Sequence, residues 1–420
     1  YERIKNNDSL NDFGFIKFLL TKVAFVLVNT TNVESAYQIF ETLNGRSKDL
    51  EKLDLVRNKL FRSMQKTDVD DACKTWDTLY AKAENIRNGK SVDTYLQDLF
   101  TTFFEANLGI WIETKDLFHK IKEDLDIHKG DEKYPYDLFN RVADCFDSYS
   151  TIYNPRNSTG LVLEQIFNDD NLVEALFYIS KKNDLKVRKA VLFSIFYLIK
   201  EADCKLSNDT KKEVKRIIYN LINFFKRTKF SGNIPASKYG KELSKIAKKI
   251  LEFGDINQVK NKWFIVELQK IDTNNKKIIA HDSFVRAIEN SEQKLEVAKD
   301  ILIMIENFNR HIKDGSLKKT KDLYAEHICP QKLKHSSWKN QFNEQEHQYY
   351  LNKIGNFTLL AEKKNKEASY RSFTDKQAVY KESNFNLNKE LIGKSTWDVD
   401  CIKKRTKSLA QKLAEATEIS

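Results

Sequence analysis

The chain has 420 residues, 41% of them hydrophobic and 31% charged, with only 4 Pro and 12 Gly. That excludes a disordered or fibrous protein, leaves room for two or three domains, and favours long helices over an all-β fold. The formal charge is +11, and residues 311–420 hold 21 Lys and Arg against 14 Asp and Glu, a net of +7. Such an excess suits a polyanionic partner, and equally a lysine-rich solvated surface.

The most apolar stretch, Phe15 to Val28, includes Lys17 and Lys22 and is too short to span a bilayer; it reads as buried core. Within it Val23 to Val28 is a β-rich run expected to form a strand. Asn29 to Asn32 is a polar break, and Ser35 to Leu43 then has helical spacing, with Asn44-Gly45 as its stop. A second helix is expected over Lys52 to Met64. From about Thr67 to Phe308 apolar residues recur at three- and four-residue spacing, as in Val92–Ala106, Asn171–Ser180, Lys186–Ala202, Lys211–Phe225, Lys241–Phe253 and Asn290–Phe308. Loops are expected at Lys129–Tyr136, Asn154–Gly160, Ser231–Ser237 and Asp272–Lys277. The aromatics of this region, among them Phe100, Phe103, Phe104, Phe193, Phe196, Tyr197, Phe224 and Phe225, read as helical core rather than a base-stacking surface.

After Lys313-Asp-Gly-Ser316 the pattern changes. Tyr324 to Gln331 is a short β-like piece stopped by Pro330. A Gly355-Asn356 turn leads into a second short strand, Phe357 to Leu360, and Ala361 to about Tyr380 is helix-compatible and lysine-rich. Asp398 to Thr417 is an amphipathic tail helix. The order is strand, excursion, strand, helix. The five cysteines, Cys73, Cys145, Cys204, Cys329 and Cys401, are odd in number and form no Cys-x-x-Cys. They argue against a disulfide framework or a zinc ribbon and fit a reducing cytoplasm.

Glu326-His327 places a carboxylate beside an imidazole, with Asn356 about 30 residues later and Asn365 nine beyond that. Phosphodiester cleavage needs a base to deprotonate water, a divalent cation to offset phosphate charge, and a group that holds the base in one tautomer. A neutral histidine suits the first role, hard oxygen ligands suit a magnesium-like ion, and an amide oxygen suits the third. Adjacent strand residues point to opposite faces, so Glu326 and His327 can share a site only if the chain is irregular there, as Pro330 would allow. His335 and His347 lie nearby, but no zinc-ligand spacing links them to His327 and Cys329.

On the features Glu326-His-Ile-Cys-Pro-Gln331, Gly355-Asn-Phe-Thr-Leu-Leu360, Asn365 and Ser372-Phe-Thr-Asp-Lys376, the stretch from about Leu323 to Ser383 resembles a known nuclease domain. That domain is the C-terminal one of the GmrSD-type modification-dependent (type IV) restriction enzymes, a branch of the HNH superfamily. The resemblance implies a mainly α protein, a multi-helix scaffold followed by a small α+β domain of the ββα-metal (HNH, His-Me finger) type. It implies His327 as general base, Asn356 as the residue that orients it, and Glu326 with Asn365 as ligands of Mg2+ or Mn2+. Glu326 stands where many HNH enzymes have Asp, which weakens its assignment as a direct ligand. Lys376 is implied as a phosphate contact or a support for the helix. Lys363, Lys364, Lys366 and Arg371 flank the expected metal site, and Lys403, Lys404, Arg405 and Lys407 cluster in the tail; in that setting they are expected to contact phosphates. The implied partner is double-stranded DNA, modified or not, and the implied setting prokaryotic defence in the cytoplasm, with no membrane.

Ala36 to Leu50, followed by Asp54-Leu-Val-Arg-Asn58, is similar to the end of the N-terminal domain of the same enzymes, which senses or hydrolyses nucleotide and gates cleavage. The family's Asp-Gly-Gln-Gln-Arg motif is absent from this sequence, and the chain begins at Tyr1 rather than Met. The expectation is a remnant of that domain over 1–65, a helical middle or specificity domain over 66–310 and the nuclease domain over 311–420. A nucleotide bound through the rest of the N-terminal domain, and a homo-oligomer, are left open. The alternatives to a nuclease are a catalytically inactive DNA-binding module and a nucleotide-gated sensor.

Overall fold

A computed structural model describes residues 17–18, 20–23, 52–86, 90–156, 161, 163–180, 189–231, 237–273, 278–309 and 322–420. The chain divides into two compact units, Tyr1–Leu55 and Val56–Ser420. In the first, residues 17–18 and 20–22 are helical, and Phe18 and Leu20 are 54% and 80% exposed. They are not the buried core that the apolar run suggested; Lys17 and Lys22 lie on the same short helical segment and are exposed with them. Val23 has no regular structure. The rest of the expected strand, the helix over Ser35–Leu43 and the Asn44-Gly45 stop lie outside the described residues.

The helices then follow the apolar spacing closely. They are α1 (Lys52–Ser63), α2 (Lys66–Ile86), α3 (Val92–Leu108), α4 (Leu117–Ile127), α5 (Tyr134–Asp144), α6 (Phe146–Tyr153), α7 (Leu163–Phe167), α8 (Asp170–Ser180), α9 (Lys189–Glu201), α10 (Asn208–Phe230), α11 (Ser237–Glu252), α12 (Asn261–Thr273), α13 (His281–Asn290) and α14 (Leu295–Asn309). Local chemistry sets their ends. Ser91 caps α3 by accepting from the Thr94 amide at 3.1 Å, and Gly109, at φ 69°, closes it in the left-handed conformation. Ser207 caps α10 in the same way. The helix expected over Asn290–Phe308 is α14 and starts later, at Leu295; Asn290 is the last residue of α13, and residues 291–294 between them are not helical. The aromatics of the middle are largely core, as their spacing implied: Phe100, Phe103, Phe104, Phe193, Phe196, Phe224 and Phe225 are all buried, and Tyr197 is half-buried. Each such ring contributes roughly 1.5–3 kcal/mol by leaving water.

The C-terminal part adds β1 (Leu323–His327), α15 (Ser336–Lys339), α16 (Glu344–Tyr350), β2 (Phe357–Ala361), α17 (Glu362–Ala368), α18 (Phe373–Lys381), α19 (Asn386–Lys389) and α20 (Val399–Ala416). The two strands pair antiparallel, from Leu323 opposite Ala361 to His327 opposite Phe357. They pack against α14 and α17. A cluster of Ile328, Cys329, Trp338, Leu360, Phe373, Tyr380 and Trp397 forms the local core. The helix expected over Ala361–Tyr380 breaks at Ser369, whose φ is 33°, and restarts where Ser372 accepts from the Asp375 amide. This break re-aims α18 and brings Lys376 back to β1.

The turn before β2 is locked by α20. A Cβ on Gly355 would lie 2.3 Å from the Ile402 carbonyl and 2.4 Å from the Thr406 hydroxyl, so only glycine allows the approach. The Thr406 hydroxyl accepts from the Gly355 amide at 3.1 Å. Arg405, expected at a DNA surface, is instead buried, and its guanidinium donates to the Gly355, Phe357 and Leu387 carbonyls. Burial lowers its pKa to about 10. Five N–H donors in a rigid fork let one arginine tie three chain segments together. At the other end of α20, Arg227 of α10 donates to the Ala414 carbonyl at 2.8 Å and to the Thr417 hydroxyl at 3.2 Å.

Candidate active site

His327 ends β1. Its ring lies 4.3 Å, centroid to centroid, from that of Phe357 across the ladder, and its Nε2 is 3.3 Å from Asn352 Oδ1. The residue is 7% exposed. Burial is the main reason its pKa falls to about 4; the Asn352 hydrogen bond acts against this, and electrostatic interaction with Lys376 and His347 adds to it. The imidazole is therefore neutral near pH 7, the form a base requires.

Glu326 precedes it in the ladder, opposite Thr358. Both residues lie within regular strand pairing, so the irregularity that would turn their side chains to one side is not present. The Glu326 carboxylate meets α18: Oε1 accepts from Lys376 Nζ at 2.6 Å, and the same ammonium donates to the His327 carbonyl at 2.7 Å. Burial raises the Glu326 pKa and lowers that of Lys376, each shift being opposed by the charge of the partner. Glu326 Oε2 has no hydrogen bond among the described residues and is not one of the buried unpartnered atoms, so it keeps contact with solvent. Lys376 is fully buried. It supports β1 and is not a surface phosphate contact, which corrects its expected place among the DNA-binding residues.

Asn356 does not reach the His327 ring. Its Oδ1 accepts from the Cys329 amide at 2.8 Å and the Trp397 indole at 3.2 Å, while Nδ2 donates to the Cys329 and Leu351 carbonyls at 3.1 and 2.9 Å. All its polar capacity is used to clamp the chain after β1, so the position beside the imidazole belongs to Asn352. Sequence reasoning missed Asn352. The only available signal was a second asparagine four residues before Asn356, in Leu351-Asn-Lys-Ile-Gly-Asn356.

Asn365 is on α17, which packs on both strands. Its Oδ1 is buried and has no hydrogen-bond partner among the described residues. Such an orphaned acceptor is costly, on the order of 1–3 kcal/mol, unless something satisfies it. Among the described residues no three His, Cys, Asp or Glu side chains gather into a metal-holding group. The hard oxygen donors this segment offers a cation are the Asn365 amide oxygen and the Glu326 carboxylate, with water or phosphate to complete the shell. Hard, oxygen-only and sparse, that donor set fits a magnesium-like ion, which commonly keeps several waters. The nearby soft donors are otherwise engaged: burial pushes the Cys329 thiol up to about 12, and His347 Nε2 is 2.8 Å from the Pro330 carbonyl.

Of the expected DNA contacts, Lys363 is exposed and forms no ion pair among the described residues. Lys364 pairs with Glu367 and Glu382, Lys366 with Glu362, and Arg371 with Glu367. In the tail Lys404 and Lys407 are exposed, and Lys403 lies 3.8 Å from Asp400.

The antiparallel pair and the helix that follows it carry Glu326, His327 and Asn365 within one small α+β segment. Residues 272–412 match the family model of the GmrSD restriction endonucleases, C-terminal domain. The C-terminal third of the chain is thus similar to that domain, and a restriction-endonuclease domain implies a nuclease with DNA as substrate. The match takes in α13 and α14 as well as the α+β segment. No curated protein matches the chain. No helix among the described residues is long and apolar enough to cross a membrane.

Proposed function

We propose that the chain is a metal-dependent DNA endonuclease of the HNH (ββα-metal) type that restricts phage or modified foreign DNA in prokaryotic defence. The observation that carries this reading is the buried, neutral His327 imidazole at the end of β1, inside the matched domain. His327 takes the proton from the attacking water. Glu326 and Asn365 would hold Mg2+ or Mn2+. When bound, the ion offsets charge on the scissile phosphate and the departing oxygen. Lys363, Lys404 and Lys407, exposed on helices of this domain, supply sequence-neutral phosphate attraction.

A second reading has one observation in its favour. Lys376 neutralises the carboxylate proposed for the metal, and a domain frozen in that state would bind DNA without cutting it. Cleavage of plasmid and phage DNA with Mg2+ or Mn2+, comparing the chain with His327→Ala, separates the two. Metal-dependent cutting lost in His327→Ala supports the nuclease; retained DNA binding with no cutting by either protein supports the inactive fold.

A further inference from the structure

We infer that Asn352 is a positioning residue that fixes the tautomer of His327, holding the ring proton on Nε2 and leaving Nδ1 as the atom that accepts a proton. The meaning of this for catalysis rests on the nuclease reading above; the tautomer itself does not. Asn352 Oδ1, an acceptor only, lies 3.3 Å from Nε2. An acceptor beside Nε2 favours the ring form with hydrogen there, because the other tautomer would set two lone pairs against each other. Nδ1 makes no hydrogen bond among the described residues and is not one of the buried unpartnered atoms, so it is the nitrogen open to water. The ring is otherwise pinned by Phe357.

The position of Asn352 is itself imposed from outside the strand pair. Its carbonyl accepts from the Gln293 amide at 2.8 Å, and Gln293 Nε2 donates to the Phe230 carbonyl at 3.0 Å. The next residue, Lys353, is buried and donates from Nζ to the Asn290 carbonyl at 2.9 Å. The α13–α14 break thus grips residues 352 and 353, and through Asn352 it reaches the base. Asn356, four residues on, has no capacity left for this role.

The test is nitrogen-15 NMR of the imidazole side chains at pH 7.5, with the His327 signals assigned by their loss in His327→Gln. The wild-type chain is expected to show a protonated Nε2 and a bare Nδ1. Asn352→Ala should shift His327 toward a mixture of tautomers and lower kcat for DNA cleavage about 10- to 100-fold with KM unchanged. Asn352→Asp, which keeps an acceptor, should retain the Nε2–H form. A wild-type ring protonated on Nδ1, or a tautomer unchanged in Asn352→Ala, overturns the inference. If Asn352→Ala fails to fold, the wild-type and Asn352→Asp spectra decide it. Expected spectra in a protein that cuts no DNA would uphold the tautomer assignment and remove the nuclease reading instead.

Discussion

Two buried lysine–carboxylate pairs occupy opposite extremes in this molecule. In the helical middle, Asp98 of α3 accepts from Lys189 and Tyr153, from Tyr149 at 3.0 Å and from Lys90 at 3.3 Å. Burial alone would raise its pKa, but Lys189 and Lys90 overcome it and hold the carboxyl well below its usual range. In the C-terminal domain, Glu326 has Lys376 as its one ion-pair partner among the described residues, and burial wins: its pKa rises. Beside Glu326 in sequence stands a histidine with a depressed pKa, and on α17 an amide oxygen without a partner. A carboxylate with both oxygens answered stabilises a helix bundle. One left half-answered costs stability and keeps capacity for a ligand, which is how functional sites differ from structural polar clusters.

The largest test of that contrast is functional. His327→Ala should lower kcat for metal-dependent cleavage about 100- to 10,000-fold, measured on plasmid DNA, while the circular dichroism spectrum stays that of a folded protein. Removing the lysines comes next. Lys376→Met strands Glu326 and should cost about 3–5 kcal/mol in urea unfolding. Lys189→Met leaves Asp98 with Lys90 and two tyrosine hydroxyls and should cost less, about 1–3 kcal/mol. Equal losses would erase the distinction between the two clusters.

Acid titration of stability should separate the regions as well. The folded pKa of His327, about 4, lies below its ordinary value of 6.5, so the unfolded chain takes up the proton first. Stability is therefore full above pH 6.5 and falls as the pH drops from 6.5 to about 4, by on the order of 3 kcal/mol. The difference between wild type and His327→Gln isolates this loss from Glu326, whose raised pKa acts in the opposite sense. Asp98 has a lowered pKa, so its contribution is present above the ordinary value of 3.8 and is lost only below it. An acid loss confined to pH below 4 would show that His327 is not buried as described.

The smallest effects belong to the surface. Lys363→Ala should leave stability within about 0.5 kcal/mol and weaken DNA binding uniformly across sequences, lowering the salt slope by about 1. Lys364→Ala, with Glu367 and Glu382 already on the ammonium, should change the slope less. A filter-binding series at several salt concentrations reads both.

By itself the sequence determined the helices of the middle, the two short strands and the segment that resembles the restriction-endonuclease domain. These depend on local rules: three- and four-residue apolar spacing in α3 and α10, capping serines at Ser91 and Ser207, the glycine turn before Phe357. Ser372 and Asp375, read as a cap, would also have revealed the break between α17 and α18. Glu326, His327 and Asn365 stood out in the sequence only as residue types that would suit the proposed reaction. What only the tertiary structure decided is where their polar groups point. Lys376 became the buried partner of Glu326, Arg405 a clamp on three carbonyls, Asn356 a brace for Cys329, and Asn352 the neighbour of the imidazole. Each of these hydrogen bonds joins residues 18 to 50 positions apart. A lysine in solvent and a lysine in a core look alike in sequence, because burial and pairing are properties of the packed chain and not of the residue.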